Sequence, residues 1–137
     1  MVIRYNYLWA DDANAGLVEG VKERPAAIVM VANSLSDGQK RVYVLPITHS
    51  KPLIESEAVE LPAAVARAAG LDTARCWVVL TEYNEFVWPG FDLAIVPGRQ
   101  PRTVAYGYLT PGFFDELRKL WLELDEANAS KPVSRDE

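Results

Sequence analysis

Five polar residues of this 137-residue chain could do chemistry together, because they lie beside apolar segments. Glu19 and Arg24 precede one apolar run, and Thr48, His49 and Ser50 follow another. Together they offer donors of hydrogen bonds and groups that can carry a proton. A rigid scaffold positions such residues at little entropic cost, so the pattern predicts a site where the two strand ends meet.

Each of these residues also has a structural interpretation. Arg24 could form an exposed ion pair with Glu19 or Glu23, which would be worth about 0–1 kcal/mol. Thr48 is a β-favouring residue at a strand end, and Ser50 is typical of a turn. The sequence leaves the structural and the functional interpretations open.

Apolar and β-branched segments predict the strands that would position this site. Strands are predicted over residues 2–9, 26–32 and 41–47, and the turn-forming cluster at 33–40 predicts that the last two pair as an antiparallel hairpin. The continuous apolar run at 26–32 suits a strand buried on both faces. Residues 11–23 are predicted to form a loop whose length suits a functional role.

The second half of the chain predicts shorter strands and two helices. Further strands are predicted over residues 76–80, 82–87, 93–96 and 104–109. A short internal helix is predicted over residues 62–69, with Gly70 at its end. Thr110 and Pro111 predict the start of a C-terminal helix. Its single apolar stripe consists of Phe113, Leu117, Leu120, Trp121 and Leu124.

These elements predict one mostly β domain over residues 1–126. Five to seven short strands, a short internal helix and a C-terminal amphipathic helix are typical of a small barrel, or of a strongly bent sheet that a helix covers. From Ala127 the composition is polar and without periodicity, so residues 127–137 are predicted to be a disordered tail.

Composition and charge argue against several classes of protein. Cys76 is the single cysteine and His49 the single histidine, so no internal disulfide, metal or other cofactor is predicted. The net charge of -5 argues against broad phosphate neutralisation, so any contact with RNA is expected to be local. No apolar run approaches the roughly 20 residues that span a bilayer, and the first residues do not form a secretory signal. A cytoplasmic location without membrane contact is therefore predicted.

Several short motifs follow one another in the first half of the chain. Glu19 stands five positions before Arg24-Pro25, and Pro46-Ile47-Thr48 and Val59-Glu60-Leu61-Pro62 come later. In this order they resemble the MazF/PemK (Kid-like) family, small bacterial toxins of toxin–antitoxin systems that are endoribonucleases on an SH3-like barrel. The resemblance extends over residues 3–124, and its specific motifs lie in the first 62 residues.

The resemblance implies a growth-inhibiting toxin that cleaves single-stranded RNA without a metal. The ribose 2′-hydroxyl would attack the adjacent phosphorus. Arg24 would stabilise the charge that develops on the phosphorane, because a guanidinium offers a planar fork of donors to phosphate oxygens. Thr48 and Ser50 would donate hydrogen bonds to the same oxygens. The family also implies a homodimer and an antitoxin protein as a partner.

The group that moves the protons stays open at this point. An arginine, with a pKa above about 12, is a poor base, and a threonine hydroxyl is no better. Glu19 and His49 are the titrating neighbours, and the ordinary imidazole pKa of about 6.5 suits general acid or base catalysis.

One segment departs from the family and motivates another function. Where family members carry an Asp-Gln element with a following arginine, this chain has the acidic residues Glu82 and Glu85. Tyr83, Asn84 and Phe86 are predicted to bind RNA, with the aromatic rings stacking on unpaired bases. The acidic segment also supports an alternative, a non-catalytic binding module of the same fold that recognises a basic protein partner.

Overall fold

The computed structural model describes residues 1–33, 37–72 and 74–135. The strands in these residues are β1 (Val2–Tyr5), β2 (Arg24–Asn33), β3 (Lys40–Thr48), β4 (Ala58–Glu60), β5 (Trp77–Val79), β6 (Glu82–Val87), β7 (Ala105–Gly107) and β8 (Lys131–Ser134). The α-helices are α1 (Ala10–Asn14), α2 (Ala63–Ala68) and α3 (Pro111–Glu126), and a 3-10 turn covers Glu55–Glu57. The predicted mostly β class is confirmed, whereas the eight strands exceed the predicted five to seven.

The strands form one sheet, in which six of them have the order β4-β5-β3-β2-β1-β7. The other two are joined to it through β3, because β6 pairs with β3 and β8 pairs with β6. Two partners share the length of β3. Residues 41–44 of β3 pair with β6, and Ile47 and Thr48 pair with β5. All of these pairs are antiparallel except β6 with β8, which is parallel. Thr48 therefore belongs to the part of β3 that pairs with β5.

The predicted hairpin is confirmed by the antiparallel ladder between β2 and β3. Its register shifts between Ile28 and Met30, as at a β-bulge. Ala26, Ala27 and Val29 are almost fully buried, as the continuous apolar run predicts. The predicted turn at 33–40 includes residues 34–36, which lie outside the described residues.

Two apolar clusters, one on each face of the sheet, form the core. Adjacent residues of β1 divide between them, with Val2 in one cluster and Ile3 in the other, as the two-residue period of a strand requires. Helix α3 covers the first cluster through Leu117 and Trp121, the two fully buried members of the predicted stripe. The helix begins after Thr110 with Pro111 at its first turn, as predicted.

Two predictions of local structure are wrong. Helix α1 occupies the start of the predicted loop at 11–23, because a five-residue helix is too short to show a helical period. Residues 93–96 form no strand, and only an isolated bridge joins Leu93 to Tyr5. Helix α2 is found within the predicted range of 62–69.

The prediction of a disordered tail at 127–137 is also wrong for most of its length. Strand β8 pairs with β6, and Val133 packs in a small apolar cluster with Leu8 and Ala10. The side chain of Arg135 is only 3% exposed. Local composition could not reveal this strand, because its partners lie about 50 residues and more earlier in the chain. Residues 136 and 137 lie outside the described residues.

A close backbone contact fixes the loop that leads into Arg24. The Gly20 amide donates to the Asn6 side-chain oxygen at 2.7 Å, and the Asn6 side-chain nitrogen donates to the Gly20 carbonyl at 3.1 Å. A Cβ atom at position 20 would overlap with the Tyr7 carbonyl oxygen. Only glycine therefore allows the loop to approach the end of β1 this closely.

Gly20→Ala is expected to lower the free energy of unfolding by about 1–3 kcal/mol, the usual cost of forcing extra atoms into a packed position. Gly112→Ala is the matched control, because a Cβ at position 112 in α3 meets nothing. Alanine is the better helix former, so this control should keep or raise stability by up to about 1 kcal/mol. Urea unfolding of the three proteins measures both changes, and equal stability of the two variants would contradict the prediction.

Candidate functional site

A cleft of about 740 Å³ lies where the start of β2 meets the end of β3. Four of the predicted catalytic residues line it: Arg24, Thr48, His49 and Ser50. The register explains this convergence. Pro46 pairs with Ala26, so the antiparallel ladder carried two residues further brings Thr48 level with Arg24.

Glu19, the fifth predicted catalytic residue, does not join this cleft. It lines a second cleft of about 1100 Å³, together with the exposed side chains of Leu17, Val18 and Phe91. The acidic residue of the same loop that lines the first cleft is Glu23. Sequence spacing could not distinguish the two acids, because the close contact at Gly20 separates them.

Arg24 stacks on an aromatic ring that sequence analysis did not associate with it. Its guanidinium carbon lies 4.9 Å from the centroid of the Trp9 ring, a cation–π contact. The Nε atom of Arg24 is buried and has no hydrogen-bond partner among the described residues. Burial lowers the pKa of the Arg24 guanidinium from its usual value, but an arginine stays charged near neutral pH. A positive charge is thus held partly away from water.

Two other arginines of this chain lie over aromatic rings, and each of them also pairs with a carboxylate. Arg75 lies over the Trp77 ring and pairs with Glu60 at 2.8 Å, and Arg135 lies over the Tyr5 ring and pairs with Asp92 at 3.0 Å. Within the described part of the chain, Arg24 has no such carboxylate. The ion pair with Glu19 or Glu23 that the structural interpretation requires is therefore not formed there.

The hydroxyl and imidazole groups at the end of β3 have defined hydrogen bonds. The Ser50 amide donates to the Thr48 hydroxyl oxygen at 3.1 Å, and this hydroxyl keeps its own hydrogen for donation to a ligand. His49 Nδ1 lies 2.9 Å from the Arg75 carbonyl oxygen. Because a carbonyl only accepts, Nδ1 must carry the hydrogen. His49 Nε2 lies 3.6 Å from an Asp72 carboxylate oxygen.

The cleft has a different charge balance from the chain as a whole. Its lining includes three basic side chains, Lys22, Arg24 and Arg99, and two acidic ones, Glu23 and Asp72, whereas the chain carries a net charge of -5. Cys76 also lines the cleft, but burial and the nearby carboxylates raise the pKa of its thiol, which keeps it protonated and a weak nucleophile. The chemistry that this lining favours is the binding of an anion.

The three residues predicted to bind RNA lie in the core instead. Tyr83, Asn84 and Phe86 are 7%, 0% and 2% exposed. The Tyr83 ring packs edge-on against Trp121, and Phe86 stacks on Tyr5 with ring centroids 4.9 Å apart. The prediction that these rings stack on bases is wrong, because β6 is covered on both faces and along both edges.

The polar side chains of β6 hold the segment that carries Trp9. Asn84 accepts a hydrogen bond from the Leu8 amide at 2.9 Å and donates to the Leu8 carbonyl at 2.8 Å. A Glu82 carboxylate oxygen accepts from the Ala10 amide at 2.8 Å and from the Tyr7 hydroxyl at 3.2 Å. These bonds fix residues 7–10, and through Trp9 they position Arg24.

Glu82→Gln is expected to make the stability of the protein less dependent on pH. Burial raises the pKa of the Glu82 carboxyl above its ordinary value of 4.5, while the bonds from Ala10 and Tyr7 oppose the shift. Because the pKa of Glu82 is higher in the folded protein than in the unfolded chain, the protonated carboxyl favours the folded state. This contribution to stability is lost as the pH rises from the unfolded-state pKa through the folded-state pKa. Glutamine keeps an acceptor oxygen and does not ionise. Urea unfolding from about pH 4 to about pH 8 checks this, and parallel stability curves for the two proteins would contradict it.

The described residues contain no group of three or more His, Cys, Asp or Glu side chains arranged to hold a metal ion. None of the helices in the described ranges is long and apolar enough to cross a membrane. Comparisons of the chain with family models, curated proteins and solved structures give no match.

Proposed function

We propose that this protein is a growth-inhibiting toxin of the MazF/PemK type, a metal-independent endoribonuclease that cleaves single-stranded RNA in the cleft at Arg24. One observation carries the proposal. The Arg24-Pro25 and Pro46-Ile47-Thr48 motifs meet at one cleft, and the Arg24 Nε atom there has no protein partner in the described chain. A phosphate in the cleft would supply the guanidinium with hydrogen-bond acceptors, which the contact with the Trp9 ring does not provide.

The reaction would begin with attack of a ribose 2′-oxygen on the adjacent phosphorus. The 2′-hydroxyl loses its proton, a new P–O bond closes a 2′,3′-cyclic phosphate, and the bond to the 5′-oxygen of the next nucleotide breaks. That oxygen takes up a proton. Negative charge grows on the non-bridging oxygens during the step, and Arg24 and Thr48 donate hydrogen bonds to them.

His49 is the residue whose position fits the proton transfers best. It lines the same cleft as Arg24, whereas Glu19 lines the other one. Its Nε2 atom can exchange a proton because Nδ1 is bonded to the Arg75 carbonyl oxygen. Glu23 is a second candidate, and the sequence had offered it only as an ion-pair partner of Arg24.

The proposal includes an SH3-like barrel, a homodimer and an antitoxin protein as a partner. The pairing of β3 with β6 over one part of its length and with β5 over another is the feature that supports the barrel. Exposed apolar side chains such as Val21, Leu53 and Phe91 offer surface to another chain. Sedimentation velocity of the purified protein tests the homodimer.

The test of the activity is a gel assay of the purified protein with a mixed single-stranded RNA in EDTA. Cleavage that leaves 2′,3′-cyclic phosphate and 5′-hydroxyl ends is the expected result. Products with 5′-phosphate ends, or intact RNA at high enzyme concentration, would overturn the proposal.

Trp9→Leu is expected to lower the cleavage rate about 2- to 30-fold, which corresponds to the loss of a cation–π contact of about 0.5–2 kcal/mol. Trp9→Phe should restore part of the rate, because it keeps an aromatic face for Arg24. Trp88→Leu is the matched control, since Trp88 lines the other cleft. Equal rates for Trp9→Leu and Trp88→Leu would contradict a positioning role for Trp9.

The alternative, a module that binds a basic protein through the acidic segment at Glu82 and Glu85, loses part of its support. Glu82 and Asn84 make their hydrogen bonds to residues 7–10, and β8 pairs along that part of β6. These groups are therefore engaged within the domain rather than presented to a partner.

A further inference from the structure

Arg99 is a second arginine at the wall of the cleft that contains Arg24. It lies between β6 and β7, outside both motifs, and nothing in the sequence singled it out. Its Nη1 donates to the Tyr106 carbonyl oxygen at 2.6 Å, and its Nη2 donates to the Gly70 carbonyl oxygen at 3.2 Å. Both acceptors are neutral, so these bonds orient the guanidinium without neutralising its charge.

The backbone that holds Arg99 is closely packed. Gly70 has a φ of 75°, and a Cβ atom there would overlap with the Tyr106 carbonyl and lie 2.9 Å from Arg99 Nη2. Gly107 also lies close to Ala69, because a Cβ at position 107 would lie 2.8 Å from the Ala69 carbonyl oxygen. The end of α2 and strand β7 therefore converge on one side chain. A guanidinium held in this way loses little entropy when a ligand binds.

The two arginines of the cleft are held in different ways. Arg24 lies on an aromatic ring and has a buried Nε without a protein partner in the described residues, while Arg99 is held by two carbonyl groups. They come from elements far apart in the sequence, and both keep N–H donors beyond those that the protein uses. A cleft with two separately held cations suits a ligand with more than one anionic group.

We infer that Arg99 binds a second phosphate of the RNA strand while Arg24 acts at the phosphate that is cleaved. This inference rests on the proposed function and makes the substrate class more specific. The substrate is a strand with a further phosphate beside the cleaved one, and a dinucleotide with a single phosphate is a poor substrate. Arg99 is a binding residue and takes no part in the chemical step.

The test measures binding separately from cleavage. The probe is a fluorescent single-stranded RNA whose riboses are all 2′-O-methylated, so that no attacking hydroxyl exists and binding can be followed in EDTA at several salt concentrations. The variant is Arg99→Gln, which removes the charge and keeps an amide that can donate to a carbonyl. The matched control is Arg102→Gln, because Arg102 is exposed and does not line the cleft. Thermal melting confirms that each variant is folded.

Arg99→Gln is expected to weaken binding about tenfold and to reduce the slope of log K against log salt by about 0.7, the value for one phosphate of a single strand. Arg102→Gln should bind within about twofold of the wild type. Arg99→Lys should recover part of the affinity, because it restores the charge without the planar fork of donors. With cleavable RNA, Arg99→Gln should raise KM and leave kcat nearly unchanged.

The outcomes separate this inference from the proposed function. Cleavage by the wild type, with equal affinities for Arg99→Gln and Arg102→Gln, would overturn the role of Arg99 and leave the ribonuclease in place. Arg99-dependent binding without cleavage of ordinary RNA would support the phosphate contact and overturn the proposed activity. A wild-type protein that neither binds the probe nor cleaves ordinary RNA would overturn both.

Discussion

Replacing Arg24 by alanine is expected to lower the rate of RNA cleavage about 100- to 1,000-fold, the usual cost of removing one preorganised donor to developing negative charge. The guanidinium is held against the Trp9 ring and is partly withdrawn from water. The loss should appear in kcat more than in KM, because the charge on the phosphorane exists only in the transition state.

Arg24→Lys and Arg102→Ala are the informative companions of this variant. Lysine keeps the charge but loses the planar fork of donors and much of the stacking on Trp9, so an intermediate rate is expected. Arg102 lies outside the cleft, and its replacement should leave the rate unchanged. Single-turnover cleavage of one labelled RNA compares all four proteins. If Arg24→Ala cleaves RNA at the wild-type rate, this cleft is not the active site.

The second large effect concerns stability. Arg135→Met is expected to lower the free energy of unfolding by about 3–5 kcal/mol, as is usual when one partner of a buried ion pair is removed. The Arg135 side chain is 3% exposed and lies 3.0 Å from Asp92. Its Nη1 also donates to the Asn6 carbonyl at 2.6 Å and to the Asn84 side-chain oxygen at 3.1 Å. Methionine fills much of the volume but offers none of these donors.

Urea unfolding with a surface control measures this effect. Arg118→Met removes an exposed arginine from α3 and should change stability by less than about 0.5 kcal/mol. Combining Arg135→Met with Asp92→Asn should cost less than the sum of the two single changes, because the second change removes the carboxylate charge that the first leaves without Arg135. A loss for Arg135→Met as small as that for Arg118→Met would show that Arg135 is not important for stability.

The parts of the site that the sequence predicted depend on neighbouring strands. Arg24 and Thr48 belong to a hairpin, and hairpin pairing follows from local turn residues and apolar runs. His49 and Ser50 follow directly. The start of α3 was equally local, because Thr110 and Pro111 are signals of a helix N-terminus.

The parts that the sequence missed depend on distant contacts. Trp9 is held near Arg24 by bonds from distant residues, among them those of Asn84, 76 positions after Leu8. Asn84 itself was predicted to bind RNA, but it is buried. Neither the strand propensity of a polar residue nor the two-residue period of a strand shows whether its side chain faces solvent or the interior. No local sequence pattern distinguishes Arg99 from the other residues of its loop. None distinguishes the residues of β8 from a disordered tail.

The parallel pairing of β8 with β6 has a consequence for the synthesis of the protein. Asn84 both fixes Leu8, next to Trp9, and accepts a hydrogen bond from Arg135, so the full set of hydrogen bonds of Asn84 forms only after Arg135 has left the ribosome. At about 5–20 residues per second, translation from Arg24 to Arg135 takes on the order of 10 s. During that time β6 lacks its outer neighbour and the guanidinium lacks part of its support. If the protein has the proposed activity, a nascent chain is therefore not expected to cleave RNA until β8 has paired with β6.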